Sequence, residues 1–343
     1  MLIKNDELRS YLTQLTLFED QPITELKIIR NNDIKVSWLI KTAKGKYLLI
    51  QHTANTKNFS QIDVINLLKA KGINYLNCYH FDLERRLAIY NWVEGQPLST
   101  FDQPKHFNQL TDQRIYNLAE LLAKIHSISN TGFSNTTNEP SYKPNMDFRQ
   151  LILEPKRYQA FLTDDFKLAW KKHLPRAYQR GLINSQQQAQ LAMIEEKSIK
   201  LVKKQIQLID DLNLFSLLHG DLTPENIICH GDLIFFIDFE LWHYGDRALD
   251  LAFMLEQFAQ AKALTQNKEK ALVNLYLEKL NENGVVDHHF SERLAFLKKY
   301  VLWKFLILVA DGLTTANLDK LNQNLFQNML DRTLQSLEES EED

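Results

Sequence analysis

The sequence predicts an α+β protein of two lobes, a small and mostly antiparallel β N-lobe over residues 1–92 and a larger, mainly helical C-lobe over residues 93–343. Three observations carry this expectation. Between residues 23 and 53, three runs rich in apolar and β-branched residues are separated by turn-forming residues. Beyond Gly95 the apolar residues recur at three- and four-residue spacing instead. Residues 217–252, LLHGDLTPENIICHGDLIFFIDFELWHYGDRALDLA, set polar residues into apolar surroundings.

In chain order, residues 1 to about 20 read as a short helix, with Leu8, Tyr11, Leu12 and Leu15 at helical spacing. ITELKII, VSWLIKT and KYLLIQHT read as three strands of an antiparallel meander, turning at Asn31-Asn32-Asp33 and at Ala43-Lys44-Gly45. Residues 59–71 place Ile62, Ile65 and Leu68 on one helical face and stop at Gly72. Strands near 75–82 and 86–92 complete the lobe, which ends at Asn91-Trp92-Val93-Glu94-Gly95. The spacing then predicts a helix over 114–128 with Leu118, Leu121, Leu122 and Ile125 on one face and His126, expected to be structural, at its end. Residues 129–147, rich in Ser, Asn, Thr and Pro, read as a loop. Further helices are expected over 147–162, 164–180, 185–212, 249–263, 267–283, 291–313 and 318–338, and residues 338–343 form an acidic, solvated tail.

The bulk composition excludes several classes. The 343 residues suffice for two lobes with a substantial core. A balance of 40 basic against 43 acidic residues gives a formal charge of -3 and no global field for nucleic acid or membrane. Cys78 and Cys229 lie far apart in sequence and suggest neither a disulfide framework nor a metal-ligand pair, which suits a reducing cytoplasm. MLIKNDELRSYL mixes charges too early for a signal sequence, and Lys304 breaks the most apolar late segment, so a soluble cytoplasmic protein is expected. The sequence sets no oligomeric state.

Chemistry concentrates in residues 217–252. His219, Asp221 and Asn226 form H-x-D-x-x-x-x-N, and Asp238 follows Asn226 by twelve residues, at the end of an apolar run. If residues 227–230 and 233–237 are strands joined by a turn at Gly231-Asp232, the second folds back beside the first and sets Asn226 nearly opposite Asp238. A base-like carboxylate with an amide and a second carboxylate is the set that orients a hydroxyl and holds Mg2+ on nucleotide phosphates. The competing reading, loop caps, explains Asp and Asn singly but not their joint spacing. Cys229 alternates with Ile228 along the first strand and reads as core.

The order of parts, a β lobe ending in E-G, the helix LAELLAKIHSI, then HGDLTPENII, IDFE and GDRALDLA, resembles the aminoglycoside phosphotransferase and choline kinase family over nearly the whole chain. The resemblance implies a bilobal protein-kinase-like fold, ATP or GTP and Mg2+ as cofactors, and a small-molecule substrate. It implies Asp221 as the catalytic base and Asn226 and Asp238 as magnesium ligands, with His219 bracing the loop. Gly220 stands where protein kinases carry Arg and Glu240 where they carry Gly, as in small-molecule kinases, which argues against a protein substrate. Asp246 and Asp250 are expected to hold the loop and cap the next helix.

The first lobe departs from the family. The phosphate-contacting cation of the third strand falls on Ile50 or Gln51, according to register, and its acidic helix partner falls on Gln61. A Gln51–Gln61 pair with charge from Lys35, Lys41 or Lys46 is one expectation; a nucleotide-binding pseudokinase with a regulatory role is the alternative. The hinge residues Asn91 and Val93 are expected to present backbone to adenine. Glu240, Trp242, Tyr244 and Trp303, with Tyr300 beside it, offer aromatic faces and a carboxylate that suit a cationic alcohol such as choline or an amino sugar. For Trp303 and Tyr300 a core role is an equal alternative.

Overall fold

The computed structural model describes residues 5–31, 35–52, 61–82, 84–98, 110–128, 155–261, 264–313 and 320–341. The expected turn at Asn32-Asp33, the loop over 129–147, the start of the helix expected from 147 and the last two tail residues lie outside them.

The chain opens with helix α1 (Asn5–Thr13) and runs through strands β1 (Ile23–Asn31), β2 (Lys35–Thr42) and β3 (Lys46–His52). Helix α2 (Gln61–Ala70), β4 (Cys78–Asp82), β5 (Leu87–Asn91) and the short β6 (Gln96–Pro97) follow. Next come α3 (Asp112–His126), α4 (Pro155–Gln179), α5 (Ser185–Gln205) and β7 (Phe215–Leu218). A hairpin of β8 (Ile227–His230) and β9 (Leu233–Phe236) precedes β10 (His243–Asp246). The chain closes with α6 (Arg247–Gln260), α7 (Gln266–Glu282), α8 (Phe290–Gly312) and α9 (Lys320–Glu341).

Two compact units emerge: Met1–Pro97 together with Asn226–Trp242, and Leu98–Glu225 together with His243–Asp343. In the first, β1, β2, β3, β5 and β4 lie side by side, all antiparallel. Strand alternation divides the sheet's residues between two faces. One face carries Val36, Trp38, Ile40, Leu49, Leu87 and Ile89, packed with Leu8 and Leu12 of α1 and with Phe18. Lys35, Ser37, Ile50, Ala88 and Tyr90 fall on the other, since Ser37 pairs with Ile50 and Ile50 with Ala88. The hairpin belongs to this unit through two attachments. The Tyr75 hydroxyl donates to the Phe236 carbonyl (3.1 Å) and accepts from the Phe236 N–H (3.0 Å), and Gln96 of β6 pairs with Cys229. Gly95, with φ of 136°, permits that pairing: a Cβ there would stand 2.5 Å from the Cys229 carbonyl oxygen. Cys229 is buried on its strand, as its alternation predicts.

The second unit packs helices around a core that includes Tyr158, Phe166, Trp170, Phe258, Tyr276, Phe290 and Trp303. Its helix starts are capped by sequence: Thr111 accepts from the Arg114 N–H, Asn184 and Gln187 cap α5 reciprocally, and Thr265 accepts from the Lys268 N–H. The two helices expected over 147–162 and 164–180 are one helix from Pro155 onwards. The Thr163 hydroxyl donates to the Gln159 carbonyl one turn back (2.8 Å), so Thr163 is accommodated within the continuous helix. The β7–β10 pair had no clear signal, being two four-residue runs separated by 24 residues. Among the described residues, no helix is long and apolar enough to cross a membrane.

Candidate active site

In the second unit, β7 delivers the chain into His219-Gly220-Asp221. Gly220 has φ of 82°, which an Arg at this position would adopt only under strain. The turn places two N–H groups on one carboxylate: His219 N–H donates to Asp250 Oδ2 at 2.5 Å and Gly220 N–H to Asp250 Oδ1 at 3.0 Å. The Asp221 N–H donates to His219 Nδ1 (3.3 Å), which makes that nitrogen the acceptor, and the Thr223 N–H donates to the Asp221 carbonyl (2.8 Å). His219 is fully buried, whereas Asp221 is half-buried at the end of the braced turn.

Behind Asp250 stands His126, buried, with Nε2 3.4 Å from Asp250 Oδ2 and Nδ1 2.8 Å from the Tyr276 hydroxyl. With a carboxylate on one side, Nε2 carries the proton and Nδ1 accepts from Tyr276. Burial pushes the imidazole's pKa down. For Asp250, burial opposes ionisation, but the bonds from His126 and the His219 backbone outweigh it and leave the carboxyl below its ordinary range.

A neutral buried His126 links stability to pH. Its folded pKa lies below the unfolded value of about 6.5, so on acidification the unfolded chain takes the proton first. Stability is therefore complete above about pH 6.5 and falls as pH drops below it, until the folded pKa is reached. Urea unfolding between pH 8 and 5 is expected to show this loss, with a shallower slope in His126→Asn; an unchanged slope would contradict the assignment. The slope is not abolished, because burial also lowers His52 and His80.

In the first unit, the hairpin turns at Gly231 (φ 59°) and Asp232, and Ile227 pairs with Phe236. One further bond, from the Ile237 N–H to the Asn226 carbonyl (2.9 Å), sets Asn226 beside Ile237 and one residue short of Asp238. Asp238 itself is left-handed, with φ 65° and ψ 54°. Strain of this kind at a non-glycine residue persists where its surroundings fix it, and it gathers at functional sites.

Lys35 is what holds that aspartate. Its ammonium lies 2.8 and 3.2 Å from the two Asp238 oxygens and 3.1 Å from Glu240 Oε1. The side chains are 6% exposed for Lys35, 18% for Asp238 and 19% for Glu240. Neither Lys41 nor Lys46 plays this part: Lys41 pairs with Glu25 and Lys46 with Glu94.

Several expected site residues stand elsewhere. Gln51 pairs with Val36 and shares the α1 face of the sheet, opposite to Lys35, and its amide donates to the Arg85 carbonyl (3.2 Å). Ile50, not Gln51, shares the Lys35 face. The Gln61 side chain lies outside the described residues. Asn91 spends its side chain on the backbone of its own unit, accepting from the Asn77 N–H and donating to the Tyr75 carbonyl, both at 2.6 Å. Val93 is half-buried. Trp242 is buried in the first unit and Tyr244 in the second. Trp303 is fully buried, with Nε1 donating to Ser336 Oγ (2.8 Å), and the Tyr300 hydroxyl donates to the Leu162 carbonyl (3.1 Å). Both are buried among core residues, in keeping with the core role that stands as an equal alternative for this pair, and the Trp303 ring lies edge-on to Phe166.

Asn226 and Asp238 bring hard oxygen donors to one end of one hairpin, the ligand chemistry that magnesium takes. No group of three or more His, Cys, Asp or Glu arranged for a metal occurs among the described residues. A magnesium ion held by one or two protein oxygens, phosphate oxygens and water needs no such group, so the donor set fits it.

Residues 37–278 match the family model described as the phosphotransferase enzyme family. The chain belongs to this family. It is a phosphotransferase, with an α+β protein-kinase-like fold. Among solved structures, it is similar to a Ralstonia eutropha protein classed with the aminoglycoside phosphotransferases, with TM-score 0.65 and 13% identity over 98% of both chains. It is also similar to choline kinase from Cryptosporidium parvum, with TM-score 0.57 and 14% identity over 93% of this chain and 91% of that one. A spectinomycin phosphotransferase in complex with ADP and spectinomycin gives TM-score 0.61 and 13% identity over 98% and 99%. At such identities the likeness establishes the fold. No curated protein sequence matches the chain.

Proposed function

We propose that the protein is an ATP- and Mg2+-dependent kinase that phosphorylates the hydroxyl of a small cationic metabolite, choline-like or amino-sugar-like. Asp221 accepts the hydroxyl proton and orients the oxygen towards the γ-phosphorus; ADP leaves. Asn226 and Asp238 would hold magnesium, which when bound would offset the charge of the nucleotide phosphates. His219 and Asp250 keep the Asp221 turn in place. Lys35 supplies the cation for the nucleotide phosphates.

The observation that carries this reading is the buried Lys35 ammonium on the Asp238 carboxylate. It supplies the positive charge whose absence from β3 motivated the pseudokinase alternative. The cationic class of substrate is supported by the relatives, whose named substrates, choline and spectinomycin, carry amine or ammonium groups. Purified protein with Mg2+ and ATP or GTP is expected to phosphorylate at least one amino alcohol or amino sugar from a panel, read by phosphate transfer to the acceptor. Nucleotide binding without transfer to any acceptor would favour the regulatory alternative, and no nucleotide binding would sink both.

A further inference from the structure

Among the described residues, Lys35 has Asp238 and Glu240 as carboxylate partners, and the magnesium reading needs only Asp238. We propose that Glu240 is a positioning residue, the partner that holds Lys35 when Asp238 turns to the metal. The pair Lys35–Glu240 then takes the part of the strand–helix ion pair whose expected positions carry the neutral Ile50 or Gln51 and Gln61. This rests on the kinase reading above and extends it to how this chain handles nucleotide.

Strand geometry permits the relocation of the cation. Ile50 pairs with Ser37, and Lys35 lies two residues before Ser37 on the same strand, so Lys35 and Ile50 share one face. The ammonium therefore serves the face of the sheet on which a β3 lysine at position 50 would stand. The acid has a comparable route. Helix α2, which carries Gln61, packs against Phe239–Leu241, the short turn that bears Glu240. The acid that the family resemblance places at Gln61 thus has a counterpart on a segment lying against α2.

Charge explains why one partner is insufficient. The ammonium bonds both oxygens of Asp238, so a divalent ion taking either of them meets it there. Two cations compete for one carboxylate, and displacing Lys35 with no other partner would leave a buried charge unpaired. Glu240, already 3.1 Å away, removes that penalty. Glu240 is therefore assigned to Lys35 rather than to the substrate.

The two halves of the idea predict effects of opposite sign, which a merely structural ion pair does not. In Lys35→Met, Mn2+ alone, measured by electron paramagnetic resonance, is expected to bind several-fold more tightly because its competitor is gone. Binding of a fluorescent ATP analogue with Mg2+ is expected to weaken about tenfold or more, the scale of one charge-assisted hydrogen bond. Glu240→Gln is expected to weaken both, because Lys35 then stays on Asp238. The double variant Lys35→Met/Ile50→Lys is expected to regain most of the nucleotide affinity. Near-ultraviolet circular dichroism guards against misfolding, and Lys35→Arg, which keeps the charge, is expected to stay within a few-fold of wild type. Unchanged nucleotide affinity in folded Glu240→Gln, or Mn2+ binding that does not tighten in folded Lys35→Met, overturns the inference. A wild-type protein that binds no nucleotide overturns the kinase reading as well, so the two failures are distinguishable.

Discussion

Asp221→Asn is expected to lower kcat for phosphoryl transfer by about 10²- to 10⁴-fold, the usual contribution of a positioned general base. Nucleotide affinity and thermal stability should change little. Two hydrogen bonds of Asp221 use its backbone, the N–H to His219 Nδ1 and the carbonyl from the Thr223 N–H, and Asn, which is also close to Asp in shape, retains them. The variant thus removes basicity at nearly constant shape. Asp250→Asn is the informative contrast. It replaces a buried carboxylate that gathers the His219 and Gly220 N–H groups and contacts His126, so stability and kcat should fall together. Single-turnover rates with melting curves for both variants decide the matter. If Asp221→Asn turns over as fast as wild type, Asp221 is not the base.

The contrast also marks what the sequence reveals. Asp221, Asn226 and Asp238 are legible because their spacing ties them to one loop and one hairpin, and the Gly231-Asp232 turn fixes the register of that hairpin locally. The sheet and most helices are legible for the same reason: period-two and helical alternation are local properties. Lys35 is harder. Its role depends on the pairing of β2 with β3, which decides the face on which each residue falls, and on a partner 203 positions away. A one-residue ambiguity in β3 decides whether Ile50 or Gln51 shares the face of Lys35, and only the pairing resolves it. Trp303 stays open in the sequence for a related reason, since an aromatic residue on an apolar helix looks the same whether it meets a ligand or Phe166. Arg293 offered a signal that went unused: it interrupts the stripe of Phe290, Leu294, Leu297 and Val301, and a cation on a buried face requires buried acids.

Those acids define the largest expected effect on stability. Arg293 is fully buried; its Nε donates to Asp246 Oδ2 (2.7 Å), and its Nη1 and Nη2 donate to Asp287 Oδ1 (3.0 Å) and Oδ2 (2.7 Å). Arg247 Nη1 adds a second bond to Asp287 Oδ2 (3.0 Å), so two arginines balance two aspartates. Burial raises Asp246 despite Arg293, whereas for Asp287 the two arginines overcome burial and lower it. Arg293→Met fills much of the same space but leaves one net negative charge enclosed, and breaking a buried pair in this way costs about 3–5 kcal/mol. The damage is expected to reach the chemistry. Asp246 caps α6 by accepting from the Ala248 N–H (2.9 Å), and Asp250, one turn on, holds the His219-Gly220 turn. Arg293→Met/Asp287→Asn removes the excess charge and should recover part of the loss, giving a coupling energy in a double-mutant cycle. Urea midpoints measure the stability and kcat the loop. A single-variant cost below about 1 kcal/mol, the scale of an exposed pair, would show that this network does not carry the α6 start and the turn it supports.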